Sequence, residues 1–178
     1  KKHLRGESDF YDAQFRQQHK DGSWRWINAR GKIVEWSAEG TPQRMSGTHT
    51  DITEQKIAEL ALYESRAMLR HVLDTIPARV FWKDTNSTFL GCNQLLAEDL
   101  DQDSPDSLIG NTDYDFFSKE EADRFRKDDQ AVISSGKAKI AYEEPLHIPG
   151  GQQIWLLTSK VPLRNKDGAI IGILGTYE

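Results

Sequence analysis

A stretch near the start of this chain recurs near its end, and that recurrence constrains the fold more than any other feature. Gly22-Ser-Trp-Arg-Trp26 resembles Gly151-Gln-Gln-Ile-Trp155, each a glycine followed four residues later by a tryptophan at the head of an apolar stretch. Gly40, Gly47 and Thr48 then match Gly168, Gly175 and Thr176 with identical internal spacing. The offset is 129 residues at the tryptophans and 128 at the later glycines, so a one-residue gap separates two copies of one unit. Each copy reads as two strands joined by a turn: Trp24 to Trp36 with Pro42 to Thr50, and Gln152 to Arg164 with Ala169 to Tyr177. Asn165-Lys-Asp-Gly168 supplies the side-chain acceptor and the glycine that a tight reversal uses. Each copy is therefore expected to be the C-terminal half of a β-rich unit. About 75 residues of additional pattern precede the second copy and about 20 the first, so the chain is expected to open inside one domain, cross a connector and contain one complete domain.

The connector reads as a helix. Asp51 is a suitable N-cap with Glu54 at its N3 position, no Gly or Pro interrupts the run to Asp74, and Pro77 ends it. Ala58, Leu62, Ser65, Leu69, Val72 and Ile76 recur at alternating spacings of four and three, an apolar seam of nearly three heptads. A helix packed on its own domain and a two-chain coiled coil both satisfy that pattern. The expected division is 1–53 for the half unit, 54–76 for the connector and 77–178 for the complete domain.

In the complete domain, Ala78 to Lys83 and Thr88 to Cys92 read as strands about the turn Asp84-Thr-Asn-Ser87, and Asn93 opens a helix through Leu100. Ser118 and Glu121 form a capping box before a long helix, Lys119 to Ser135, with Gly136 as its stop. Ala122, Phe125 and Val132 make its apolar stripe, interrupted by Asp129. Strands Ala138 to Ile148, Gln152 to Arg164 and Ala169 to Tyr177 close the domain. The order β-β-α-α-α-β-β-β predicts an α+β fold, one five-stranded antiparallel sheet with helices on one face.

Composition excludes several functions. With 28 acidic and 23 basic side chains the 178 residues carry a formal charge of −5, against a general nucleic-acid binder. The charge is +2 over residues 1–56 and −6 over 76–178. A lone Cys92 allows no internal disulfide and no Cys-rich zinc site. No apolar run approaches the roughly 20 residues of a membrane helix, and no signal-peptide region follows Lys1-Lys2-His3, so the expected location is cytoplasmic.

The order of elements resembles the PAS sensory domain, and the repeated Gly-Trp-strand-turn-Gly-strand unit resembles its PAC half. Asp51-Ile-Thr53-Glu54-Gln55-Lys56 resembles the signature that ends such domains and starts the helix toward the next module. Val80-Phe-Trp-Lys-Asp84, Leu90-Gly-Cys-Asn93, Leu108-Ile-Gly-Asn-Thr-Asp113 and Lys160-Val-Pro-Leu163 are similar to the family's recurring blocks, in register. The resemblance covers nearly the whole chain: the PAC half of one PAS domain, then a complete second one. It implies a non-catalytic sensory module of a bacterial signalling protein, such as a sensor histidine kinase or diguanylate cyclase. The state of the module would pass through Asp51, Thr53, Glu54 and the connector, with a homodimer and the rest of the signalling protein as partners. A ligand-free dimerisation and relay module is the alternative.

The resemblance also implies a pocket between the sheet and the long helix. Haem-binding members hang the iron on a histidine, usually of the long helix, and Lys119 to Ser135 has none; His71 and His147 lie elsewhere. Covalent flavin requires a cysteine in the short helix, and Asn111 to Phe117 has none, while Cys92 sits at a strand end. Haem and covalent flavin are thus disfavoured. In the family the residue after the tryptophan of the second long strand faces the pocket. That parity turns Leu156, Thr158 and Lys160 inward, with Tyr142, Glu144 and Leu146, Ile170, Gly172 and Leu174, and Phe81 and Lys83 on neighbouring strands. The expected ligand-binding set is Phe81, Lys83, Phe125, Tyr142, Leu156, Thr158, Lys160 and Leu174. Two lysines facing one cavity call for an anionic metabolite such as a carboxylate, unless they snorkel from strand ends to water or Glu144 neutralises one. Trp155, Leu157 and Val161 turn outward and are too apolar to stay uncovered.

A metal-using enzyme is the remaining class. Asp101-Gln-Asp103, Asp113-Tyr-Asp115 and Asp128-Asp129 are acidic clusters that invite it, and no phosphate loop or nucleophile motif accompanies them. They are expected to be solvated surface, and neither catalytic nor metal-ligating residues are assigned.

Overall fold

The computed structural model describes residues 8–147 and 152–178. Gly151 of the repeat and Ile148 at the end of an expected strand fall outside that range. The chain divides into two compact units, residues 1–67 and 68–178, and the dividing point falls within the helix Thr53–Thr75 (α1).

The first unit is a three-stranded antiparallel sheet, Tyr11–Gln18 (β1), Trp24–Trp36 (β2) and Pro42–Asp51 (β3), in the order β1-β2-β3. Strand β1 was not expected, although Tyr11, Ala13 and Phe15 alternate with exposed polar residues at the period of a half-buried strand. Its hairpin to β2 closes where Asp21 Oδ1 accepts hydrogen bonds from the Ser23 amide and hydroxyl. Helix α1 starts at Thr53, one residue before the expected 54–76 span. The reason is that the β2–β3 pairing runs on to its threshold. Ile52 donates its amide to the Trp26 carbonyl and Thr53 Oγ1 accepts the Trp26 amide, so Asp51 ends a strand and its Oδ1 accepts from the Thr53 amide at 2.9 Å. Glu54 is consequently the second residue of the helix rather than the third. No residue of α1 is buried, and Leu60, Leu62, Tyr63, Met68 and Leu69 of its apolar positions are exposed.

The second unit holds Arg79–Asp84 (β4), Phe89–Cys92 (β5), Gln94–Asp99 (α2), Lys119–Ser135 (α3), Lys139–His147 (β6), Gln153–Arg164 (β7) and Ile170–Tyr177 (β8). The five strands pair antiparallel in the order β5-β4-β8-β7-β6. This is the α+β architecture expected from the sequence. Two 3-10 turns, Pro105–Leu108 and Asp113–Asp115, join α2 to α3. Helix α3 has the expected caps: Ser118 Oγ accepts the Glu121 amide, the Glu121 carboxylate accepts back from Ser118, and Gly136 closes the helix at φ 64°.

The core of this unit gathers Phe81, Phe89, Cys92, Leu96, Ala97, Leu108, Val132 and Ile173 between the sheet and the helices. Full burial of each large member stabilises the fold by roughly 1.5–3 kcal/mol. Asn93 organises its edge. The side chain caps α2, accepting from the amides of Val80 at 3.0 Å and Leu96 at 3.3 Å, and donates to the carbonyls of Leu73 and Ala78. Trp155, Leu157 and Ile171, on the far face of the sheet, are exposed.

The repeat is a repeat of strand pairing. Trp26 faces Arg16 as Trp155 faces Pro145, and Gly47 faces Gly31 as Gly175 faces Lys160. The two tryptophans therefore hold equivalent ladder positions, and β1 is the counterpart of β6.

Candidate functional site

The inner face of the second sheet and helix α3 line a cavity of about 40 Å³. Its apolar wall comes from Phe81, Phe89, Leu96, Phe117, Phe125, Leu146, Leu156 and Tyr177, and its polar groups are Lys83, Asp113, Glu144, Thr158 and Lys160. Of the expected set, Phe81, Lys83, Phe125, Leu156, Thr158 and Lys160 line one cavity. Tyr142 shares their face, opposite Thr158 in the ladder, though it is outside the lining, and its ring lies 3.6 Å under Lys139 Nζ.

Leu174 is a correction. It pairs with Trp82 and Val161 on the outer face, while Ile173, Gly175 and Tyr177 point toward the helices. An irregularity in the pairing between Leu163 and Arg164 shifts β8 by one residue, and a one-residue shift reverses every side chain on a strand.

The lysines are a second correction. Neither snorkels: Lys83 and Lys160 are each 1% exposed. Nor does Glu144 neutralise either by a direct ion pair. Asp129 sits between them, its Oδ1 2.6 Å from Lys160 Nζ and its Oδ2 3.2 Å from Lys83 Nζ. Lys83 also pairs with Asp113, and Lys160 donates to the Phe125 carbonyl at 3.0 Å. Lys83 Nζ lies 4.6 Å from the centroid of Phe89 and 5.1 Å from that of Phe81, cation–π distances that compensate part of its desolvation.

Asp113 and Asp129, expected on the surface, are therefore buried. Asp129 had a readable signal, since it lies on the stripe of Ala122, Phe125 and Val132. Asp113 had none, because it belongs to a 3-10 turn without periodicity, where Thr112 and Asp115 cap each other and leave Asp113 to face inward. Asp115 and Tyr114 remain exposed, as expected.

Burial would raise the Asp129 carboxyl, but the Lys83 and Lys160 ammoniums outweigh it and hold the group below its ordinary value. For Asp113 burial prevails over the pull of Lys83, and the carboxyl lies above its usual range. Glu144 is raised as well, by burial, against the pull of Lys160. It is 4% exposed, a hydrogen bond from the Thr158 hydroxyl also acts to lower it, and Asp113 Oδ2 is buried without a protein hydrogen-bond partner among the described residues. The two ammoniums are matched by two aspartates before Glu144 is counted, so the surplus of positive charge that favoured an anionic ligand does not exist.

In the first unit the same ladder positions carry Ala29 and Gly31 in place of Thr158 and Lys160. At its exit, Asp51 accepts from Arg25 at 2.9 Å as well as from Thr53, and hydrogen bonds from Thr53 and Arg25 pull its carboxyl down to about 2. Glu54 is exposed beside them.

A five-stranded antiparallel sheet with a small, mostly apolar-walled cavity under one long helix defines an α+β architecture. A family model described as PAS fold matches residues 73–178, a second of the same description matches residues 1–49, and the chain belongs to the PAS-fold family. It is 33% identical over 125 residues to the methanogenesis regulatory histidine kinase FilI of Methanothrix harundinacea, covering 70% of this chain and 14% of that protein. It is 24% identical over 158 residues to the two-component sensor PprA of Pseudomonas aeruginosa, covering 89% of this chain and 17% of PprA. The chain thus spans about a sixth or less of these relatives. VqmA bound to DPO has a similar fold, with a TM-score of 0.57 at 24% identity over 63% of this chain and 56% of VqmA. The PAS domain of a Colwellia psychrerythraea protein is similar with a TM-score of 0.51 at 14% identity, over 66% of this chain and 95% of that one. Among the described residues, no helix is long and apolar enough to cross a membrane.

Proposed function

We propose that residues 77–178 are a complete PAS domain that binds a small molecule between sheet and α3. Residues 1–53 are then the C-terminal half of a second PAS domain. The observation that carries this reading is the pocket of about 40 Å³ between sheet and α3, into which buried acceptors such as Asp113 Oδ2 turn without a protein donor among the described residues, because an unmet buried acceptor costs roughly 1–3 kcal/mol and a bound ligand can remove that cost. Ligand binding biases two arrangements of the sheet and its helices, and the bias passes through Asp51, Thr53, Glu54 and α1. The output is that of a cytoplasmic sensor histidine kinase, supported by the kinase and sensor relatives. The fragment itself performs no chemistry.

The test is a melting screen of the 178-residue chain against small metabolites, together with mass spectrometry of compounds extracted from the purified protein. A saturable rise in melting temperature that Leu156→Phe abolishes is the expected result. A protein that yields no compound and whose melt no metabolite shifts would refute ligand sensing and leave the relay role.

The exposed Trp155, Leu157 and Ile171 of the sheet and the exposed seam of α1 support a homodimer, with or without ligand. A monomer in sedimentation equilibrium at tens of micromolar would exclude it.

A further inference from the structure

Ligand sensing leaves the class of ligand open, and the lining of the cavity narrows it. Three buried oxygens line it: Glu144 Oε1 and Asp113 Oδ2 are acceptors, and Thr158 Oγ1, whose hydroxyl hydrogen bonds toward Glu144, keeps lone pairs that no protein donor fills among the described residues. The lysine donors are already directed to Asp113, Asp129 and the Phe125 carbonyl. Formal charge points the same way. Lys83 and Lys160 are offset by Asp113 and Asp129, which leaves Glu144 as the one lining carboxyl without an ion-pair partner among the described residues. The apolar wall is largely aromatic, and Phe117 and Phe125 meet edge to face with centroids 5.1 Å apart. A carboxylate, further acceptors and ring faces together recognise a positively charged nitrogen.

We propose that the cavity takes a small organic cation, an alkylammonium or amidinium, with Glu144 as its counter-charge and Asp113 Oδ2 and Thr158 Oγ1 accepting its N–H groups. The proposal rests on the ligand-sensing reading and names its ligand class. The volume of about 40 Å³ holds roughly three waters, so the ligand has roughly three to five heavy atoms. Charges around Glu144 set how binding depends on pH. Tyr142 on β6, Thr158 and Lys160 on β7, and Arg124 and Asp128 on α3 surround it; burial raises its pKa, and Lys160, the Thr158 hydrogen bond and Arg124 act against that while Asp128 adds to it. A cation that enters while Glu144 is protonated releases that proton to solvent, so affinity rises with pH through the Glu144 titration and levels off above it.

The test titrates the 178-residue chain with propylammonium and guanidinium, with the neutral isosteres propanol and urea, and with propionate, following the amides of Leu156 and Thr158 by NMR. The expected result is saturable binding of the cations, weakened at least about tenfold in Glu144→Gln and in Thr158→Val, since hydrogen bonds to charged groups contribute roughly 1.5–3 kcal/mol. Amide spectra of both variants establish that they are folded. Equal cation affinity in folded Glu144→Gln overturns the proposal. Binding of urea, propanol or propionate where the cations fail overturns it while ligand sensing stands. Silence of the pocket toward every probe overturns the cation proposal, while ligand sensing is decided separately by the metabolite screen.

Discussion

Asp129→Asn is the substitution that most directly interrogates the buried charges. It keeps the shape of the side chain and removes its charge, so the change contains almost no cavity contribution. In the parent, one carboxylate serves Lys160 at 2.6 Å and Lys83 at 3.2 Å. In the variant Lys83 retains Asp113, but Lys160 retains only the Phe125 carbonyl at 3.0 Å and whatever the new amide oxygen offers. Removing one partner of a buried ion pair costs about 3–5 kcal/mol, because the other is left in a low dielectric. The remaining amide acceptor places this case near the lower end, about 3 kcal/mol, a large fraction of the 5–15 kcal/mol by which domains are ordinarily stable. For a unit of this size the melting temperature falls by on the order of 12 °C. Urea unfolding followed through the amide signals of β7 and β8 isolates this unit from the other. The penalty also has a pH signature. Asp129 is held below its ordinary value in the folded state, so its contribution is complete above the unfolded carboxylate range and is lost as pH falls through the folded value. The difference between parent and variant should therefore shrink in acid. Replacing the four groups together with Met or Leu at 83, 113, 129 and 160 should return the stability to the parent's or above it, since well-packed apolar residues substitute for buried ion networks without loss. An Asp129→Asn protein within about 1 kcal/mol of the parent at neutral pH would refute the claim that these lysines depend on a shared, desolvated counter-ion.

Three further outcomes follow from the same geometry. Glu144 is raised in the folded state, so its ionisation opposes folding: the folded state gains stability as pH falls through its folded value, and Glu144→Gln without ligand should be more stable than the parent above that value, the gain fading toward pH 4 in acid melts. The β8 phase is checked by a pair of variants: Ile173→Asn, at a position with 0% exposure, should lose several-fold more stability in urea than Leu174→Asn, and equal losses would contradict the register. Asn93→Ala leaves the amides of Val80 and Leu96 and the carbonyls of Leu73 and Ala78 without their side-chain partner, and should cost about 3 kcal/mol, with amide exchange accelerated first at the start of α2.

What could be read from the sequence follows from what has a period. The five strands, the long helix and its caps were legible because Ser118, Glu121 and Gly136 are local signals and the strands alternate or repeat. Strand parity turned Thr158 and Lys160 inward on β7, counted from Trp155, and Glu144 inward on β6 by carrying that count across the pairing. It failed on β8, because no residue marks the irregularity between Leu163 and Arg164 and one skipped position reverses the face. The ion network was half legible. Two lysines could be placed inside from alternation, but their partners came from elements 30 and 46 residues away from Lys83, and a distance of that kind leaves no trace in a spacing.

Gly47 and Gly175 occupy the same rung in their respective sheets, yet they are glycines for different causes. At Gly47 an added methyl group would lie 2.4 Å from the Arg30 carbonyl oxygen, so it is the adjoining chain itself that fills the space. At Gly175 it would lie 2.2 Å from the tip of the Phe81 ring, so the obstacle is the side chain of the residue opposite on the next strand. An alanine at the first must spread two ribbons, whereas at the second a smaller neighbour at 81 would make room. Matching letters in a duplicated pattern thus conceal separate demands, one made by the scaffold and the other by what the scaffold carries.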